Sequence, residues 1–235
     1  MTTTLVTGAN KGLGLETARR LVAAGHTVYL GSRDPERGRR AAALIGARPV
    51  LLDVTDDASV TAAARTVEAE GGLDVLVNNA GVEGRGEGNR VIGPAEVTAA
   101  MMRELFETNV FGVVRVLHAF LPLLRRSASP VVVNVSSGLA SLAGLTDPSV
   151  PAHGYPGVAY PASKTAVNTI TVQYAKAFPD LRVNAVEPGF TATDLNGNTG
   201  TQTVEEGAEI IVRMARIGRD GPTGGFFDAA GPVPW

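Results

Sequence analysis

Tyr160 and Lys164 lie four residues apart in Tyr160-Pro161-Ala162-Ser163-Lys164, a spacing that places both on one face of a helix. A tyrosine near its reference pKa of about 10 is a weak acid–base catalyst at neutral pH. A nearby ammonium favours the phenolate and lowers that pKa, so the pair is a candidate proton donor and acceptor. An amphipathic helix with a buried aromatic and an exposed lysine has the same spacing, and the pair alone is a weak signal. A second candidate is the turn Thr7-Gly8-Ala9-Asn10-Lys11-Gly12-Leu13-Gly14. Glycine allows left-handed backbone angles and close approach of a ligand. A helix starting there aims free N–H groups and a positive dipole end at an anion, which suits a phosphate. Its glycines are spaced G-x-x-x-G-x-G, which differs from the commonest dinucleotide fingerprint, G-x-G-x-x-G.

These residues need elements to position them. Strands are expected at 2–6, 26–31, 49–54, 73–77, 130–135, 181–186 and 225–228, several of them nearly continuous in apolar residues. Helical patterns fall between them, at 15–22, 35–46, 56–70, 94–124 with a break, 158–178 and 204–217. Strict alternation predicts an α/β fold: a single-domain, Rossmann-type doubly wound parallel sheet of about seven strands, with helices on both faces. No linker or internal repeat divides 1–235. Residues 83–93, rich in glycine and charge, read as a flexible surface loop. Residues 139–158 carry Pro148, Pro151 and Pro156 and no helical period; with 190–203 they read as loops lining a site.

In such a fold the end of the second strand meets the adenosine ribose. An acidic residue there binds the 2′-hydroxyl, whereas arginine accommodates a 2′-phosphate. Ser32 and Arg33 stand at that point, which favours NADP(H), and Lys11 offers a second positive charge. Against this, Arg33 can simply be a solvated residue paired with Asp34 or Glu36. Asp53 either bonds the adenine amino group or caps the helix starting near Asp56. Lysine is otherwise scarce: only Lys11, Lys164 and Lys176 occur.

Composition bounds the function. The 235 residues are 44% hydrophobic with a formal net charge of −2, a packed chain without the basic surface that nucleic acid or anionic lipid requires. There are no cysteines, which is compatible with a cytoplasmic protein. The first strand begins directly after Met1, leaving no room for a signal peptide. The most apolar run, Val110 to Leu124, is interrupted by Arg115 and His118, so a buried helix explains it better than a membrane span. His26, His118 and His153 are too scattered to indicate a metal.

The motifs occur in one order: Thr7-Gly8-x-x-x-Gly12-x-Gly14, Asn78-Asn79-Ala80-Gly81, Asn109, Asn134-Val135-Ser136-Ser137, Tyr160-x-x-x-Lys164 and Asn184-x-x-x-Pro188-Gly189. Together they resemble the short-chain dehydrogenase/reductase family along essentially the whole chain. Asn10-Lys11 with Ser32-Arg33, and the ending from Gly224-Gly225-Phe226-Phe227 to Trp235, are similar to its NADPH-dependent carbonyl reductases. The resemblance implies that Tyr160 is the general acid in reduction of a small ketone or aldehyde. Lys164 would lower the Tyr160 pKa and bond the nicotinamide ribose; Ser137 would orient the carbonyl oxygen; Asn109 would hold a water linked to Lys164. It also implies cofactor contacts from Gly8, Asn10, Lys11, Gly12, Leu13, Gly14, Arg33, Asp53 and Val54. Asn79, Ala80 and Gly81 would line the adenosine ribose, and Pro188, Gly189 and Thr193 would touch the nicotinamide.

Some choices stay open. Ser136 competes with Ser137, though neighbours in a strand point to opposite faces. Tyr155 has Ala159 four residues on and lacks a lysine partner; with His153 it either lines the pocket or packs the loop. Glu187 either faces solvent or selects substrate. A non-catalytic NADP(H)-binding sensor of the same fold is the alternative function, although such proteins typically lose the tyrosine or lysine. Single-chain carbonyl reductases carry a long insertion between serine and tyrosine motifs. Only 22 residues separate Ser137 from Tyr160 here, so the helix faces used for pairing are expected to be free in a homo-oligomer, dimer or tetramer.

Overall fold

The computed structural model describes residues 2–235. Seven strands, Thr3–Val6 (β1), Thr27–Ser32 (β2), Arg48–Leu51 (β3), Val75–Asn78 (β4), Val131–Val135 (β5), Arg182–Val186 (β6) and Phe226–Phe227 (β7), form one parallel sheet ordered β3-β2-β1-β4-β5-β6-β7. The helices are Gly12–Ala23 (α1), Pro35–Ile45 (α2), Asp57–Ala69 (α3), Ala99–Phe106 (α4), Gly112–Leu124 (α5), Leu142–Thr146 (α6), Ala159–Ala177 (α7) and Val204–Ala215 (α8).

Side chains alternate across the sheet, so each strand feeds two cores. Leu5, Tyr29, Leu76, Val132 and Val183 pack with buried residues of α3, α5 and α7 on one face. Val28, Leu30, Val77, Val131 and Val133 pack with α1, α2 and α8 on the other. Fully burying one Leu or Val contributes roughly 1.5–3 kcal/mol, so both layers are held by the hydrophobic effect and not by ion pairs. Winding reverses at β1, which has β2 on one side and β4 on the other. The crevice at their carboxyl ends is where a sheet of this kind takes a ligand.

Three expectations shift, and one expected break is found. The helix read from Pro94 begins at Ala99, after Thr98, whose hydroxyl accepts the Met101 N–H at 3.2 Å. Its break is a π-helical turn, Glu107–Phe111, between α4 and α5. Residues 139–158 do contain helix: α6 and two short 3₁₀ turns, each too brief to show a period. Residues 83–93 are anchored, because the Glu83 and Arg85 side chains are only 7% and 15% exposed and pair at 2.7 Å. By length and hydropathy the run Ala99–Leu124 would suffice to cross a membrane, but half of it is buried, with Val116, Leu117 and Phe120 packed on the sheet.

Candidate active site

The glycine turn opens α1 at the carboxyl end of β1. Gly8 takes φ 62° and Gly12 φ 55°, conformations that disfavour a side chain. Unlike α2 and α3, which Asp34 and Asp56 cap, α1 has no side-chain cap and no acidic residue in its first turn. Its leading N–H groups, around Gly12, Leu13 and Gly14, therefore present an uncompensated positive end, which fits a phosphate group. Asn10 lies half-buried in the same turn. Asn79 turns out to support the turn from behind: its Nδ2 donates to the carbonyls of Thr7 (2.9 Å) and Gly8 (3.2 Å). Thr7 Oγ1 accepts the N–H groups of Asn79 and Ala80, each at 3.0 Å. The Asn79 amide nitrogen thus locks β1 to β4 and holds the turn in position.

At the end of β2, Ser32 is buried and its hydroxyl donates to the Asp34 carbonyl at 2.8 Å. Arg33 is exposed and forms no ion pair among the described residues; Asp34 instead caps α2 and pairs with Arg37 at 3.2 Å. The reading of Arg33 as the partner of Asp34 or Glu36 is overturned, and its guanidinium stays available for an anion. Asp53 does not cap α3, since Asp56 does. It accepts the N–H and hydroxyl of Thr55 at 2.9 and 2.7 Å. Burial opposes its charge, but these bonds with Arg33 and Arg115 nearby hold it below the usual carboxylate range. Val54 is buried beside it, and its carbonyl accepts from Arg115 at 2.6 Å.

Tyr160 and Lys164, on the first turns of α7, are both buried, at 9% and 5% exposure. The Ser137 hydroxyl stands near enough to the Tyr160 phenol to favour its ionised form. Ser136 is committed elsewhere, donating to Asn168 Oδ1 at 2.7 Å, so Ser137 is the serine that faces the reacting centre. Lys164 Nζ lies 5.6 Å from the Tyr160 ring centre and donates to the Val135 carbonyl at 2.8 Å. Burial dominates both titrations and pushes each group toward its neutral form. The Tyr160 phenol is raised, chiefly by burial and then by Glu83, with Ser137 pulling the other way. The Lys164 ammonium is lowered by burial to about 8. Burial is thus the largest influence on the Tyr160 phenol in this arrangement and keeps it neutral.

Asn109, in the π turn, is 1% exposed. Its Oδ1 accepts the Val82 N–H (2.8 Å), and its Nδ2 donates to the Val82 carbonyl (2.8 Å) and Ser163 Oγ (3.0 Å). Both amide protons are used, so the side chain clamps the chain after β4 to α7 and retains one Oδ1 lone pair for a water. A Cβ at Gly81 would stand 3.3 Å from Asn109 Oδ1 and 3.5 Å from Lys164 Nζ, so glycine keeps this approach open. Beyond β6, Gly189 takes φ 78° and the Pro188 carbonyl accepts from Gln202. Thr193 begins a 3₁₀ turn that lies over the glycine turn, and Lys11 Nζ reaches Asp194 at 2.7 Å. Lys11 therefore bridges two loops across the crevice instead of standing free beside Arg33.

Sequence reasoning did not single out Glu83 and Arg85. Glu83 Oε1 accepts from Arg85 (2.7 Å) and from the Tyr155 hydroxyl (2.9 Å), and all three act electrostatically on one another or on Tyr160. Their charges looked solvated, and only tertiary contact with Tyr155 reveals them as wall residues. His153 is exposed and bonds the Leu145 carbonyl at 3.0 Å, which ties the loop together. Glu187 is half-buried; burial raises its carboxyl above the ordinary range, while the nearby main-chain N–H groups of Gly138 and Gly189 pull the other way. Among the described residues, no group of three or more His, Cys, Asp or Glu is placed to hold a metal.

Comparison with known proteins agrees with this geometry. Residues 2–204 match the family model described as short chain dehydrogenase. A (+)-neomenthol dehydrogenase of Capsicum annuum is 32% identical over 295 aligned positions, covering 95% of this chain and 94% of that protein. The alignment is longer than the 235-residue chain, so that relative carries inserted segments absent here. Salutaridine reductase from Papaver somniferum superposes with TM-score 0.85 at 30% identity, covering 97% and 99% of the two chains. An NADPH-bound carbonyl reductase from chicken fatty liver gives 0.86 at 28% identity, covering 100% and 99%. With a family model matching most of the chain, and a crevice, a glycine turn and half-buried Ser137 with buried Tyr160 and Lys164 in their expected order, the chain belongs to the short chain dehydrogenase family.

Proposed function

We propose that this chain is an NADPH-dependent reductase of ketones or aldehydes. The observation that carries the reading is Lys164 beside the Tyr160 ring, with Ser137 acting on the same phenol, joined through Gly81 and Ala80 to the uncapped glycine turn. Its relatives and structural neighbours include reductases and dehydrogenases of small carbonyl or alcohol compounds, one of them bound to NADPH. The chain's own residues fit that cofactor: α1 offers N–H groups to the pyrophosphate, and the free Arg33 guanidinium suits a 2′-phosphate. Bound NADPH supplies a hydride to the carbonyl carbon. Ser137 holds the carbonyl oxygen, and Tyr160, whose phenol burial keeps protonated, gives that oxygen its proton; an alcohol results. Lys164 carries the positive charge near the ribose, and Asn109 fixes the wall behind it. Holding the reactants in this order supplies much of the rate.

We further propose that the protein acts in the cytoplasm, since a cysteine-free chain makes no demand on an oxidising compartment. The test of the main reading is loss of reduced-nicotinamide absorbance with NADPH, and with NADH in parallel, against quinones, aromatic aldehydes, diketones and ketoesters. Turnover preferring NADPH supports it. Turnover preferring NADH removes the Arg33 assignment and leaves the reaction. No turnover despite NADPH binding would favour the non-catalytic sensor.

A further inference from the structure

One carboxylate beside the reacting groups has no counter-charge. Glu187 follows β6 and sits between the Ser137–Gly138 turn and the Pro188–Gly189 turn. A Cβ on Gly138 would lie 3.2 Å from its Oε1. The main-chain N–H groups of Gly138 and Gly189 favour its ionised form, and it forms no ion pair among the described residues. Burying a charge without a partner is costly, so a packing role alone does not account for a carboxylate here. The apolar strand ends at Val186, and the turn that follows is made by Pro188 and Gly189.

The surrounding charges do not cancel it. Glu83 is matched by Arg85 and covered by Tyr155. Lys164 is turned toward the Val135 carbonyl. Asp228, after β7, adds a second negative charge that Glu187 feels. Arg213, the cation next to Asp228, spends its guanidinium on the carbonyls of Asp228 and Ala229, at 2.6 and 3.0 Å. Gly138, against which Glu187 packs, follows Ser137 directly, and Glu187 also acts electrostatically on the Tyr160 phenol, so its field reaches the side of the site where a carbonyl would stand.

We propose that Glu187 is a specificity-determining residue that makes the substrate side of the site electronegative, admitting neutral or cationic carbonyl compounds and rejecting those with a carboxylate near the reacting carbon. This rests on the reductase reading above. Two unit charges about 7 Å apart at an effective dielectric constant of about 20 interact strongly enough to change a rate ratio by more than about tenfold. Partial burial limits the screening that salt provides.

The experiment uses three aryl ketones alike except for a carboxamide, a trimethylammonium or a carboxylate on a methylene spacer. kcat/KM is measured with NADPH for the full chain, Glu187→Gln and Glu187→Asp, after thermal melting shows that each variant is folded. In the unmodified chain the carboxylate ketone should be poorer than the carboxamide by about tenfold or more. Glu187→Gln should collapse that ratio toward one, and Glu187→Asp, which keeps the charge, should preserve it. Equal rates for the three ketones in the unmodified chain would overturn the proposal while leaving the reductase reading intact. So would a uniform change across all three in Glu187→Gln, which would mean that Glu187 serves the turn or the cofactor. Should Glu187→Gln not fold, a lost ratio in folded Glu187→Asp also counts against it. Absence of turnover with any carbonyl would instead defeat the reductase reading itself.

Discussion

At the scale of the residue, the proposed chemistry rests on Ser137, Tyr160 and Lys164, and burial opposes the charge of the last two. Replacing Tyr160 by Phe removes one oxygen, and general acid catalysis of this kind is worth roughly 10²–10⁴ in rate. Turnover should drop by that order while NADPH still binds, as followed by nucleotide fluorescence. Unchanged turnover would remove Tyr160 from the reaction. The pH dependence follows from Lys164. Its ammonium, lowered by burial to about 8, is present below that pH and lost above it, whereas the raised Tyr160 phenol stays protonated. Carbonyl reduction should therefore decline above about pH 8. Lys164→Met should leave a slow rate without that limb; a limb that persists would belong to another group. Tyr160, Lys164 and Ser137 were legible in the sequence because their spacing and order are fixed by local helix geometry and strand ends. Glu83 and Arg85 were not, since a charged pair two residues apart in a glycine-rich loop looks the same whether solvated or buried under Tyr155.

At the scale of the element, most helices and strands were readable because both layers of the sheet write long apolar runs, and Pro35, Asp34 and Asp56 mark helix starts. The failures have a common physical origin. A π turn keeps helical side-chain spacing for a few residues and so hides within a helical pattern, as it does at Glu107–Phe111. The five residues of α6 complete less than two turns and cannot show a period. Fixed points between elements also matter. A Cβ at Gly14 would stand 2.8 Å from the Gly8 carbonyl and 2.9 Å from Ala9 Cα, and would collide with the Asn79 amide. Gly14→Ala should cost about 1–3 kcal/mol of stability, from overpacking against backbone that cannot yield. It should lower the melting temperature and weaken NADPH binding together. An unaltered melt with unaltered affinity would mean that the turn relaxes more freely than the structure implies.

At the scale of the whole molecule, fold class and the position of the site were readable, but assembly was not, because surface faces carry no periodic signal of their partners. Phe111 and Val114 on the outer side of the π turn and α5 are 49% and 39% exposed, and α6 packs on its own loop instead of covering them. These faces support a homo-oligomer, dimer or tetramer. Light scattering should give a multiple of 24.3 kDa, and Val114→Arg should reduce it to the monomer; a monomer at every concentration would end the idea. The reversal of winding at β1 also bears on how the chain reaches its native state. β1 pairs with β2 across 24 positions, Thr3 to Thr27, but with β4 across 71, Thr4 to Val75. Loop-closure entropy makes the second pairing the slower to form. The nucleotide crevice lies between those two strands and thus comes into being late. NADPH should accordingly slow unfolding, while hardly changing the rate of refolding, when both are followed by tryptophan fluorescence. The cofactor then acts as a latch on a nearly finished molecule: cells short of NADPH would hold the same fold, reached at the same speed, for a shorter time.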